Sequence, residues 1–264
     1  METIKRVILS VSAHGDDAEF MAGGTLARLV DEGHSLYLLV ATDNDRGSYR
    51  LSAAELKTIA RPEAEAAGKI LGAKGVFLLG HQDGELGEVS ASVLRGQIMY
   101  HIRKLRADVI FCWDPFAPFE NHPDHRAIAL ATSDASSFSA LPLFHPEHLA
   151  QGLQPQRVTA WYWYSKAHWE TNKRVDISAT IERKIQALCA YNCQMVLTID
   201  DLLAEARATG VEETRLAGMD ATRFEPLIDL GVRANDAKIG AELDCDYAES
   251  FRYQTIELPD IFQS

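Results

Sequence analysis

No run in this chain approaches the roughly 20 consecutive apolar residues that a membrane-spanning helix requires. The first apolar stretch, Val7 to Ala13, is short and leads straight into charged residues, unlike the apolar region of a secretory leader. Cysteine is sparse: Cys112, Cys189, Cys193 and Cys245 have the spacing of neither a metal ribbon nor a disulfide framework. Cys189 and Cys193 stand four apart in a helical pattern and are expected on one face, as small buried hydrophobes. Positive charge is in the minority, with 26 basic against 38 acidic residues and a net charge of −12. That balance argues against nucleic acid and anionic membranes as partners and leaves small molecules. Neither an internal repeat nor a low-complexity segment is present. These absences together describe a reduced, cytoplasmic protein.

What is present suffices for a large core. A chain of 264 residues buries roughly three quarters of its unfolded surface, so folding needs neither disulfides nor a structural metal. Short β-branched runs alternate with helical patterns. Val7–Ser12, Ser35–Ala41, Val76–Leu79, Val109–Trp113 and Val158–Tyr164 read as strands, the earlier ones as buried parallel strands. A helix is expected over Gly24–Glu32, stopping at Gly33, and another opens at a capping box of Ser52 and Glu55. Pro62, lacking an N–H, is expected to kink or restart that second helix. Val93 to Leu105 carries a third, with Ser90 as its cap. Beyond Ser178 helices dominate: one carries Ile181, Ile185, Leu188 and Cys189 on a single face and runs to Cys193, and a short one covers Asp200–Arg207. The pattern predicts one α/β domain over residues 1–264, a Rossmann-like, mostly parallel sheet flanked by helices. Its core would end near residue 175 and be followed by a helix-rich, possibly partly β, extension over about 176–264.

In open α/β sheets, ligands bind beyond the carboxyl ends of the strands. The first strand runs into His14-Gly15-Asp16-Asp17-Ala18-Glu19, and the fourth is followed by Asn121-His122-Pro123-Asp124-His125. Taken singly, each is equally a loop whose carboxylates cap the next helix. Taken together at one sheet edge, they assemble the imidazoles and carboxylates of a catalytic zinc site. The Trp161–Tyr164 cluster reads as a strand packing both its faces rather than as a sugar platform.

The sequence resembles the LmbE-like (PIG-L) zinc-dependent de-N-acetylases. The resemblance lies in AHGDDAE at 13–19, GGTLARL at 23–29, HPDH at 122–125 and YAESFR at 247–252, with weaker echoes at 41–47, 78–86 and 175–178. It implies hydrolysis of the N-acetyl group of an N-acetylglucosamine-type sugar, with one Zn²⁺ or another divalent ion per chain. It assigns His14, Asp17 and His125 as metal ligands and Asp16 as general base. His122 is implied to polarise the carbonyl or protonate the leaving amine, with Asp124 orienting its ring and raising its basicity. Arg61 and Asp83 are implied to hold sugar hydroxyls. A homo-oligomer is also in keeping with the family.

Three departures touch substrate identity more than reaction type. Gly15 stands where the family usually has proline, Pro62 follows Arg61 within a helix, and Tyr191-Asn192-Cys193-Gln194 replaces a His-x-Ser-Gln pattern. Among rival readings, a nucleotide-binding fold requires a glycine-rich turn after the first strand. Here that turn is acidic and would repel a pyrophosphate. The remaining alternatives are an amidase for a non-sugar N-acyl compound and a catalytically silent binding member of the same fold.

Overall fold

The computed structural model describes residues 5–210 and 223–257. Seven strands form one sheet in the order β3-β2-β1-β4-β5-β7-β6. The first five are β1 (Val7–Ser12), β2 (Ser35–Thr42), β3 (Gly75–His81), β4 (Val109–Trp113) and β5 (Ala160–Tyr164), and all are parallel. Ile8 is in register with Leu36 on one side and Val109 on the other. The inner strands β1, β2 and β4 are almost wholly buried and read as unbroken apolar runs, which is why they were legible, whereas β3 at the sheet edge is only half-buried. The last two, β6 (Lys173–Asp176) and β7 (Ala248–Thr255), add antiparallel, with β7 against β5. The C-terminal segment therefore extends the sheet as well as supplying helices.

The chain leaves β1 for β2 on one side, while β4 pairs on the other. That reversal opens a crevice beyond the carboxyl ends of β1 and β4. Helices α1 (Asp17–Asp31) and α2 (Ala53–Leu71) pack together with a later helix, and α3 (Ala91–Leu105) packs on α4 (Pro123–Phe138). Helix α1 begins at Asp17, a full two turns before its expected start, so the acidic loop and the helix N-terminus are continuous. Gly33, with φ +89°, ends it. The Ser52–Glu55 capping box is formed in full. Pro62 does not interrupt α2, because it lies on the solvent face where the carbonyl it leaves unpaired meets water. Ser90 flanks α3 but its hydroxyl makes no capping bond.

A short helix α5 (Pro146–Ala150) lies in the loop-rich connection before β5. The predicted helix through Cys193 is divided at Ala190–Tyr191 into α6 (Ile181–Cys189) and α7 (Asn192–Thr209), so Cys189 and Cys193 belong to different helices. Glu63 of α2 receives the new N-terminus, accepting the Cys193 N–H at 3.0 Å and its thiol at 2.8 Å. Helix α7 also extends well beyond the expected Asp200–Arg207. With α8 (Glu225–Gly240) these helices form a second apolar cluster around Ile185, Leu188, Met195, Ile228 and Val232. The β5 aromatics pack within the structure as expected: Tyr164 is fully buried and Tyr162 stacks on Phe111 at 4.3 Å.

Candidate active site

The loop after β1 is shaped by its own carboxylate. Asp17 Oδ2 accepts the backbone N–H groups of Ala13 (2.9 Å) and His14 (3.0 Å), which leaves Oδ1 to point across the crevice. Thr42, at the end of β2, donates its hydroxyl to the Ala13 carbonyl, and the Gly15 N–H donates to Asn44. Gly15 is required here, because an added Cβ would stand 2.5 Å from the Tyr191 ring. From the other side, α4 presents His125 in its first turn.

Three donor atoms converge. His14 Nδ1 lies 3.2 Å from His125 Nε2, which lies 3.2 Å from Asp17 Oδ1, and the third edge is 3.8 Å. A tetrahedral Zn²⁺ with bonds of about 2.0–2.2 Å has ligand atoms roughly 3.3–3.6 Å apart, so the triangle matches one face of such a site. All three residues are buried. Each imidazole is also backed by a carboxylate, the arrangement that orients metal-ligating histidines. Asp83 Oδ1 is 3.0 Å from His14 Nε2. Glu120 Oε1 is 3.1 Å from His125 Nδ1, off the line of a hydrogen bond but near enough for its charge to act. Burial alone would lower the His14 pKa, yet Asp124, Asp17 and Asp83 outweigh it and hold the ring well above its ordinary value. Burial would likewise raise Asp17, but His125 and His14 keep it well below the usual carboxylate range. This much negative charge around two imidazoles suits a bound cation.

Asp16 stands apart from these three donors. It occupies the N-cap of α1 without making a capping bond, and its carboxylate faces the cavity. Burial and the adjacent Asp17 push its pKa up to about 6, in the range suited to a general base at neutral pH. His122 is the N-cap of α4, and its Nδ1 accepts the Asp124 N–H at 3.3 Å. In the neutral ring this places the remaining proton on Nε2. Burial, together with His14 and His125, lowers the His122 pKa.

Two expected placements change, those of Asp124 and Arg61. The Asp124 carboxylate does not hold His122: its oxygens accept the Gly84 and Leu86 N–H groups at 2.7 and 3.0 Å, and it approaches His14 at 3.5 Å. Its charge still acts to raise the His122 pKa, but burial, His14 and His125 outweigh it and the ring shifts down. Asp83 lines the cavity, but its Oδ1 is committed to His14. Arg61 lies on the exposed side of α2, paired with Glu65 at 3.5 Å, and does not line the cavity. The cavity, about 880 Å³, also brings in Arg46, Lys166, His168 and Gln194. Arg46 lies within the 41–47 echo and Gln194 within the departing 191–194 segment, so both carried a sequence signal. Glu120 carried none beyond its acidity near HPDH.

A model of the GlcNAc-PI de-N-acetylase (PIG-L) family matches residues 9–136, which contain both motif loops. The diacetylchitobiose deacetylase of Thermococcus kodakarensis is 33% identical over 189 residues, covering 71% of this chain and 69% of that protein. The chain belongs to the PIG-L family. A second PIG-L relative, the 1D-myo-inositol 2-acetamido-2-deoxy-alpha-D-glucopyranoside deacetylase of Rhodococcus erythropolis, is 28% identical over 60% of each chain. Among solved structures, the N,N'-diacetylchitobiose deacetylase from Pyrococcus horikoshii, complexed with its inhibitor MPG, superposes with a TM-score of 0.75. That match covers 98% of this chain and 86% of the other, at 27% identity. Among the described residues, no helix is long and apolar enough to cross a membrane.

Proposed function

We propose that this PIG-L protein hydrolyses the N-acetyl group of an N-acetylglucosamine-type amino sugar, releasing acetate and the free amine. The observation that carries this reading is the buried triangle of His14 Nδ1, Asp17 Oδ1 and His125 Nε2, with the uncommitted Asp16 carboxylate beside it. Those three residues would hold one divalent ion, zinc by its preference for nitrogen and carboxylate donors in tetrahedral array. When bound, the ion supplies Lewis acidity toward the amide oxygen and makes an attacking water more acidic.

The chain's own residues account for the protons. Asp16, poised near pH 6, takes one from the water as it attacks the amide carbon. His122 donates its Nε2–H to the oxygen on which negative charge develops, a role for which a neutral, tautomer-locked imidazole is suited. Asp16 then delivers its proton to the sugar nitrogen as the C–N bond breaks. Asp83 and Asp124 keep the His14 ring in place throughout. The similarity to deacetylases of chitobiose and of an inositol-linked amino sugar supports the choice of substrate class.

The test pairs elemental analysis with product detection. The purified protein is expected to hold about one divalent ion per chain and to release equal amounts of acetate and amine from N-acetylglucosamine glycosides. A metal-free protein that gains no activity from added Zn²⁺ would overturn the metal centre. Turnover of simple N-acetyl amides with none of the sugars would shift the reading to a non-sugar amidase.

A further inference from the structure

Stacking fixes the plane of the His125 ring but not which of its atoms faces which way. Trp113 lies nearly flat against the ring at 4.1 Å and 13°, and His122 at 4.5 Å and 22°. A half-turn about the bond that carries the ring would keep both stacks while exchanging Nδ1 with Cδ2 and Nε2 with Cε1. Torsions of this kind are roughly two-fold, so the bond itself has little preference. Only one of the two settings offers Nε2 to Asp17 and His14. Glu120, behind the ring, tells them apart: its side chain is 8% exposed and its Oε1 lies 3.1 Å from His125 Nδ1. A negative charge at that point favours the ring with its proton on Nδ1 and its lone pair on Nε2.

The same oxygen also accepts the His122 backbone N–H at 3.0 Å. One carboxylate oxygen therefore meets both histidines of the 122–125 segment. The turn that brings it there is specific. Phe119, just before it, has φ +63° although it is not glycine, and its side chain is left in solvent. A left-handed aromatic residue is unfavourable by itself and persists where its surroundings hold it. Arg126 of α4 closes the turn from the far side, donating to the Glu120 and Asn121 carbonyls at 2.9 and 2.7 Å. Lys166 supplies the counter-charge, 3.5 Å from Glu120 Oε1 and 5.4 Å from the centre of the Trp113 ring.

We infer that Glu120 is a positioning residue for the proposed reaction. Through one oxygen it sets which nitrogen His125 offers to the metal and anchors the backbone of His122. It acts through those two residues and does not itself line the cavity. The inference rests on the de-N-acetylation reading above and adds a residue to it.

Two substitutions in the full chain separate the two contacts. Glu120→Gln keeps an oxygen for the His122 N–H but loses the charge beside His125. Its zinc affinity, measured by competition with a chromophoric chelator, is expected to fall by about 10–100-fold. Its kcat on methyl N-acetylglucosaminide at saturating Zn²⁺ is expected to stay within about threefold of the parent's. Glu120→Ala loses both contacts. The same fall in affinity should be joined by a drop in kcat of roughly tenfold or more, with KM little changed, because His122 is then misplaced. Urea midpoints near the parent's are expected for both variants, which separates positioning from folding. Glu120→Gln binding zinc as tightly as the parent, or Glu120→Ala matching Glu120→Gln in kcat, overturns the inference alone. A parent protein that binds no zinc overturns the metal centre and this inference with it. A parent that binds zinc but turns over no N-acetyl sugar removes the substrate reading, and the zinc affinities then decide the inference by themselves.

Discussion

Asp16 and Asp17 have identical side chains and adjacent positions, yet the fold holds them in different settings. Asp17 is tied to two backbone N–H groups and points its other oxygen at His125, whereas Asp16 makes no capping bond and faces the cavity. Asp17→Ala is therefore expected to lose metal and activity together. Asp16→Asn is expected to keep its metal while kcat falls by roughly 10²–10⁴-fold with little change in KM. Metal content and both kinetic constants decide the matter, and metal loss in Asp16→Asn with retention in Asp17→Ala would reverse the assignment. A second residue-scale prediction concerns Gly15 and Tyr191, two of the departures from the family pattern. They are one feature: the buried Tyr191 ring fills the space a side chain at 15 would need, and its hydroxyl donates to Glu19 at 3.3 Å. Gly15→Ala should displace the loop that carries His14 and Asp16, lowering kcat/KM by about tenfold to hundredfold. Adding Tyr191→Leu should recover much of that loss, and simple additivity in the double-mutant cycle would remove the coupling.

At the scale of elements, α1 is fastened to the C-terminal segment by a buried ionic cluster. Glu249 of β7 accepts the Gly24 and Thr25 N–H groups at 3.0 and 2.8 Å, within α1. Lys184 of α6 reaches Glu249 and Asp236 of α8, passing over Gly23, where a Cβ would meet its side chain at 3.1 Å. The GGT and YAES motifs are thus two sides of one contact. Lys184→Met leaves two buried carboxylates facing each other and is expected to cost about 3–5 kcal/mol. Urea denaturation measures it, and Glu249→Gln in the same chain should restore part of the loss. A change under about 1 kcal/mol, the scale of an exposed pair, would show that the cluster is not what holds α1, α6 and α8 together.

For the molecule as a whole, stability should fall in mild acid for a reason remote from the active site. His101 of α3 is packed on the Phe77 ring at 4.8 Å, and its Nδ1 is buried without a hydrogen-bond partner among the described residues. Burial, with Lys104 nearby, pushes its pKa down to about 4. The unfolded chain, near 6.5, binds the proton first, so this contribution is complete above about pH 6.5 and is lost as pH falls toward 4. His101→Phe should flatten that part of the curve of urea midpoint against pH. Parallel curves for the two proteins would clear His101 of the effect.

The existence and parallel pairing of β1 to β5, and the meeting of the two motif loops at one edge, were legible in the sequence, while the order of the strands in the sheet was not read from it. Buried parallel strands leave unbroken apolar runs, and strand-end loops of one sheet share an edge whatever the packing details. The donor types of the buried His14, Asp17 and His125 triangle were legible for the same reason. The partners of each donor were not, since His14 and His125 are 111 positions apart and a hydrogen bond is decided by tenths of an ångström. Only the folded chain turned Asp124 toward Gly84, Leu86 and His14 instead of His122, and set Glu120 behind His125. Arg61 looked like a site residue by its place in the chain. The rotation of α2 about its axis turned it to solvent, and that rotation is fixed by which face buries Leu56, Ala60, Ala64 and Ala67. The far wall of the cavity was equally a tertiary matter, because Leu197 and Val232 lie on helices whose apolar faces pack inward in any fold. What exposes them to the cavity is where α6, α7 and α8 settle against α1, a balance of apolar contact and one buried ionic cluster.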